Sequence, residues 1–159
     1  MTLDDVPLQP VDPAFRSVLR VRAAVAATVL LAAAATADIA WQRHGGVPGL
    51  IVLPALLWAT WSVLLAPRRR WARLRFAFTG RELHVTRGWL THAHTVVPVR
   101  RVQHIDLTQG PLERRYGLAT LVLHTAGTEH ARVFAPGLAR GEAEAIRDAI
   151  RGAVAGQAA

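Results

Sequence analysis

The chain reads as a two-helix transmembrane hairpin followed by an all-β domain of six antiparallel strands, closed by a C-terminal α-helix. Three observations predict this. Two long apolar segments, 23–40 and 47–66, stand near the start of the chain. Alternation of apolar and polar residues begins after Arg70, and a helical apolar stripe occupies the C-terminal end.

The segment 23–40 is apolar except for Thr28, Thr36 and Asp38, and 47–66 carries no charge over 20 residues. A helix needs about 20 residues to cross a hydrocarbon core roughly 30 Å thick, so both segments have membrane length. Trp41, Trp58, Trp61 and Trp71 suit interfacial or near-interfacial positions. The connector 42–46 is short enough to force an antiparallel pair. Arg16, Arg20 and Arg22 precede the first segment, Arg68, Arg69 and Arg70 follow the second, and the connector holds only Arg43. The positive-inside rule therefore puts both termini in the cytoplasm, with 1–22 a cytoplasmic N-terminal segment. Two other readings are weaker. Ala35-Thr36-Ala37 resembles a signal-peptidase site, but the stretch before the apolar run is long for a signal peptide. A soluble domain of this size could hardly cover two helices apolar all round. Asp38 lies one turn before Trp41 and is expected to reach headgroup water, and Pro54 to cause a mild kink.

From 71 to 152 the pattern is that of a small β domain, with 153–159 a tail. Leu74, Phe76 and Phe78 share a face of a first strand, and Leu83 and Val85 alternate with His84 and Thr86 in a second. Residues 89–97 make a third, with Pro98 at an edge or bulge, and 102–108 a fourth. Gly110-Pro111 ends that strand and opens one helical turn, 112–116, which Gly117 stops. Leu118 to Thr125 is the cleanest strand, and 130–134 returns beside it. Pro136-Gly137 then leads to a helix at about 139–154, with Ala143, Ile146, Ala149, Ile150 and Val154 on one stripe.

Gly88-Trp89-Leu90, Val97-Pro98, Arg101 to Ile105, Gln109 to Leu112, Arg115 to Ala119 and Thr125 to Gly127 carry a resemblance. Residues 72–152 are similar to a bacterial pleckstrin-homology (PH) domain of the membrane-associated, YdbS/YdbT-like (bPH2) family. An N-terminal pair of membrane helices also fits that family. The resemblance implies a PH-like sandwich or partial barrel of six to seven strands capped by the C-terminal helix, with a seventh strand short or hidden within 89–108. It also implies the bacterial inner membrane, with the PH-like domain in the cytoplasm.

The chain contains no Cys and no Lys, so disulfides, thiolate metal sites and a Cys nucleophile are excluded. His92 and His94 share a strand face near His104, but without a defined carboxylate partner they read as a solvated face, as do His84, His124 and His130. Asp106 is expected to pair with Arg101 or cap a turn. No catalytic, metal or cofactor site is expected, and the chain reads as a non-enzymatic protein.

The net charge of +8 lies wholly from Arg68 onward, where 15 Arg face seven acids. Such a domain beside a bilayer is drawn to anionic headgroups; no nucleic-acid partner is expected. The candidate headgroup or partner contacts are Arg68, Arg69 and Arg70, then Arg100, Arg101, Arg114 and Arg115. The hairpin loop that eukaryotic PH domains use for phosphoinositides corresponds to Thr79 to Glu82, which holds only Arg81. The leading expectation is a membrane-anchored scaffold that binds a protein partner, assembles with itself or pairs with a multi-domain paralogue. The alternatives are a headgroup-binding module and a transport or stress-response component.

Overall fold

The computed structural model describes residues 7–88, 93–125 and 132–155. The chain divides into two units. A helical unit comprises Arg16–Arg69, and a β unit combines the chain up to Phe15 with the chain from Arg70 onward.

The first helix, α1 (Phe15–Arg43), is 29 residues long, or roughly 43 Å at the α-helical rise. Its mean hydropathy reaches 1.9, and among the described residues it is the one helix long and apolar enough to cross a bilayer. The expected span 23–40 is the middle of this helix. The second expected span, 47–66, is not one continuous helix. Residues 47–51 lie outside helix, α2 (Val52–Leu64) has 13 residues, and α3 (Ala66–Ala72) follows it.

The cause is local. Pro48 has no N–H and Gly49 takes a left-handed φ of 83°, so the chain turns there. Asp38 holds the turn, accepting the Gly49 N–H at 2.9 Å, the Ile51 N–H at 3.0 Å and the Gln42 amide at 2.8 Å. The carboxylate expected to face headgroup water is thus 4% exposed and satisfies donors at the start of α2. Pro54 falls in the first turn of α2, where a missing N–H costs no helical bond. Pro67 offers no N–H to the carbonyl one turn back, which is where α2 gives way to α3.

Ala27 and Ala34 of α1 and Ala59 and Ser62 of α2 are buried. Between residues 23 and 64 no Leu, Ile or Val is buried, and Val29 is 66% and Leu57 74% exposed.

The β unit holds two antiparallel sheets. The first has the order β1 (Gln9–Pro10), β2 (Arg75–Phe78), β3 (Glu82–Arg87), β4 (Ala93–Pro98). The second is β5 (Val102–Thr108), β6 (Leu118–Thr125), β7 (Arg132–Ala139). A 3-10 turn, Val99–Arg101, joins the sheets, α4 (Pro111–Arg115) joins β5 to β6, and α5 (Arg140–Ala155) packs on the second sheet.

The seventh strand is therefore β1, from the N-terminal segment 1–22, and residues 99–101 are a 3-10 turn rather than strand. Two residues, one of them Pro, show no alternation; long-range anchors place them. Gln9 pairs with Phe76 and Pro10 with Arg75. The Asp12 N–H donates to the Gly137 carbonyl at 2.9 Å. The Trp71 indole donates to the Val11 and Asp12 carbonyls at 3.0 and 3.1 Å. Val11 and Phe15 are 2% and 3% exposed. Gly137 has a φ of 78°, and a Cβ there would meet the Phe15 ring at 2.7 Å.

β7 continues through Pro136-Gly137, where the sequence suggested a break. It is an edge strand, so a missing N–H can face away from the ladder, and a register shift between Ala119 and Leu121 absorbs the irregularity. The expected strands 89–97 and 130–134 fall partly outside the described residues. The core gathers Leu83 and Val85 from the first sheet, Leu118, Leu121, Leu123 and Leu138 from the second, and Ala143, Ile146 and Ile150 from α5. Each fully buried aliphatic side chain contributes about 1.5–3 kcal/mol. Ala149, expected on the same stripe, is exposed.

Candidate functional site

The seven arginines singled out from the sequence are all exposed, and the fold separates them. Arg114 and Arg115 stand on α4, which is held rigidly. Pro111 begins it with a fixed φ, and the Glu113 carboxylate reaches back to the Gly110 N–H at 2.9 Å. The other Glu113 oxygen takes the Thr120 hydroxyl at 3.4 Å, and Glu113 is 5% exposed. The Gln109 amide donates to the Leu118 carbonyl at 2.7 Å, and Gly117, with a φ of 66°, turns the chain into β6. From the sequence Glu113 is noticed only as flanking the Gly-Pro break with Asp106, and its capping role is not read. Its signal was a Gly-Pro pair with glutamate at the third helical position.

From α4 a series of backbone bonds leads to the chain's exits. The Gly117 carbonyl accepts the Arg140 N–H at 2.9 Å, at the end of β7, and Gly137 accepts from Asp12. Arg114 and Arg115 therefore lie at the end of the β unit that holds Phe15 and Trp71. Arg70 and Arg75 belong to this end too, since Arg75 pairs with Pro10. Arg68 and Arg69 precede Arg70 on the same helix, α3.

Arg100 and Arg101 stand at the other end. They precede β5, whose seven residues separate them from α4 by about 20 Å. There the Val99 N–H donates to the Arg81 carbonyl at 2.9 Å. Arg81 and Arg100 line one groove of about 410 Å³ with Pro98 and Ala153. The loop that holds only Arg81 thus lies beside Arg100, a juxtaposition no linear reading reveals.

The histidines form two pairs. His84, expected on a solvated face, is 2% exposed, and its Nδ1 lies 3.3 Å from His94 Nε2, with Glu82 at 3.4 Å from its other nitrogen. Asp106 takes neither Arg101 nor a turn. Its two oxygens lie 2.8 Å from His104 Nε2 and 3.3 Å from His124 Nε2, because β5 and β6 set His104 opposite His124. Among the described residues no group of three or more His, Asp or Glu has the arrangement of a metal centre. His92 and His130 lie outside the described residues.

Glu142, in the first turn of α5, has its pKa raised by burial and by the nearby Asp12 carboxylate. Asp148 is held below the usual carboxylate range by its 2.8 Å bond from Arg147, a surface pair.

The sequence pattern described as Bacterial PH domain matches residues 16–154. That match takes in the helical unit as well as the sheets, and it begins after β1. The chain is also 32% identical over 128 residues to UPF0699 transmembrane protein YdbS of Bacillus subtilis (strain 168), covering 79% of each chain. No solved structure matches.

Proposed function

The chain belongs to the bacterial PH domain family, and from that premise we propose that it is a membrane-anchored, non-enzymatic interaction protein. In this reading the helical unit crosses the bilayer twice, and the β unit stays in the cytoplasm to bind a protein partner or a second copy of itself.

The observation that carries the anchoring is β1. The chain leaves the β unit at Phe15 and re-enters it at Arg70, and residues on both sides of the excursion pair in one sheet. A domain built from both ends must lie on one side, so an excursion into the bilayer must return. The burial pattern supports the same reading. Between residues 23 and 64 Ala27, Ala34, Ala59 and Ser62 are inside and Val25, Val29, Leu56 and Leu57 are outside, the arrangement suited to lipid. α2 spans roughly 20 Å, so the second crossing uses residues 47–51 as well. Positive residues flanking the excursion favour the cytoplasmic side for the β unit. Reporter fusions at Gly45 and at the C terminus test this: an external connector and an internal terminus are expected, and an external terminus overturns the proposal. For the interaction role, crosslinking of the full chain in native membranes should yield one discrete complex; a monomer at every crosslinker concentration overturns it.

A second reading, contact with anionic headgroups, is favoured by the placement of Arg114 and Arg115 at the exit end with Arg70. Each arginine near an anionic surface is worth about 1 kcal/mol. A fragment starting at residue 71 would lack β1, so the test uses the full chain in nanodiscs. Anionic lipid should slow amide exchange in α4 of wild type but not of Arg114→Ala/Arg115→Ala, and salt should remove the effect. Equal exchange in both sinks this reading.

A further inference from the structure

Residues 114–117, at the end of α4 and just beyond it, are exposed one after another, while Glu113 and Leu118 on either side are buried. The end of α4 therefore protrudes from the β unit. It carries Arg114, Arg115 and Tyr116, which is 37% exposed and is the one tyrosine of the chain. Among the described residues of the β unit, the large apolar side chains left exposed are Tyr116 and Phe134. An aromatic ring with a polar end suits the boundary between headgroups and acyl chains, and arginine suits the anionic layer above it.

We propose that Tyr116 dips into the headgroup boundary of the chain's own bilayer, with Arg114 and Arg115 on anionic headgroups beside it, so that the β unit docks on the membrane through α4. It rests on the headgroup reading above and adds the residue that enters the lipid. Charge complementarity sets the partner. This end of α4 offers two cations and no accessible acid, because Glu113 is 5% exposed with its oxygens on the Gly110 N–H and the Thr120 hydroxyl. The backbone is already fixed, so docking orders little. The Tyr116 N–H donates to the Leu112 and Glu113 carbonyls at 3.1 and 3.2 Å, and the Gly117 carbonyl accepts the Arg140 N–H at 2.9 Å. Reach favours the bilayer as well. α3 holds both Ala66, the last residue of the uncharged segment, and Arg70, where the β unit resumes. Four helical residues rise about 6 Å, roughly the depth of one headgroup layer. In the anchoring reading, the exit end that α4 shares with Arg70 therefore stands at headgroup depth. Phe134 does not share that position. It pairs with Val122, four residues along β6 from Leu118, or about 13 Å, and Val122 pairs on its other side with the acidic Asp106. The hairpin loop Thr79 to Glu82 takes no part, since it lies at the opposite end with Arg100.

The test uses the full chain labelled with fluorotyrosine, which gives a single fluorine resonance because Tyr116 has no second tyrosine beside it in the sequence. The chain is compared in nanodiscs of anionic and of zwitterionic lipid. Oxygen, which concentrates in lipid, should broaden the resonance more in the anionic discs, and a water-soluble nickel chelate should broaden it less. Arg114→Ala/Arg115→Ala, or high salt, should return both to the zwitterionic values, because electrostatic attraction is needed to hold one ring in the lipid. Equal broadening in the two lipids overturns the proposal, and so does immersion that persists in the double variant. Shielding from both reagents at once would mean that protein covers the ring, which overturns it too. Amide exchange separates this step from the reading beneath it. Slowed exchange in α4 with Tyr116 still open to the nickel chelate removes the insertion and leaves headgroup contact standing. Equal exchange in wild type and the double variant removes the headgroup reading itself.

Discussion

The helical and β units solve burial in opposite ways. In the β unit the largest side chains are inside, with Leu83, Leu118, Leu121 and Leu123 fully buried. Between residues 23 and 64 of the helical unit the buried positions are Ala27, Ala34, Asp38, Ala59 and Ser62, while Leu53, Leu57 and Leu64 face outward. Water drives apolar side chains inward, whereas lipid rewards no such burial and close approach of helices depends on small residues. The apolar residues of each unit therefore distribute by the solvent that unit meets.

The largest test of this contrast is a paired truncation. Leu121→Ala should cost about 3–5 kcal/mol of unfolding free energy, because it leaves a cavity in a packed core. Leu57→Ala, at a 74% exposed position, should leave denaturation of the micelle-bound chain nearly unchanged. Similar losses for the two would break the comparison. Next in size is Phe15→Ala, which removes the ring over Gly137 within the β unit. We expect about 3 kcal/mol, read as denaturation at lower denaturant together with protease access to residues 7–14; protection equal to wild type would mean that β1 holds without it.

Glu113→Ala should be smaller, about 1 kcal/mol, the cost of a lost cap. Its signature is faster amide exchange confined to α4 and the start of β6, and uniform exchange would show that α4 does not depend on this carboxylate. The smallest effect is the pH response of Glu142. Its raised pKa means that the folded chain holds this proton more tightly than the unfolded chain. Its contribution to stability is thus greatest below the ordinary glutamate range, declines as pH rises through the window up to the raised value, and stays reduced above it. Glu142→Gln should therefore melt slightly above wild type at neutral pH and match it in acid; the reverse order would contradict the assignment.

Much of the fold was legible in the residues. Leu118 to Thr125 forms the central strand of its sheet, and Ile146 and Ile150 bury the stripe read for the last helix. The Gly110-Pro111 and Gly117 signals bracket α4 as their backbone preferences require. The site was legible only in part. Arg114 and Arg115 could be named, but their shared end with Arg70, and the separation from Arg100 and Arg101, depends on which strands pair.

What the sequence by itself determined is therefore whatever local chemistry enforces: an apolar helix of membrane length, alternation in the strands, glycine and proline turns, and the location of the excess charge. Tertiary structure alone decided the rest. Gln9 and Pro10 have no strand signal and become β1 because Val11, Asp12 and Phe15 are anchored more than fifty residues away in sequence. Asp38 and Glu113 became buried acceptors because turns brought backbone N–H groups to them. His84 lost its water because the opposite face of its strand is covered as well. Periodicity reports which face a side chain takes. What covers that face is fixed only when distant segments meet.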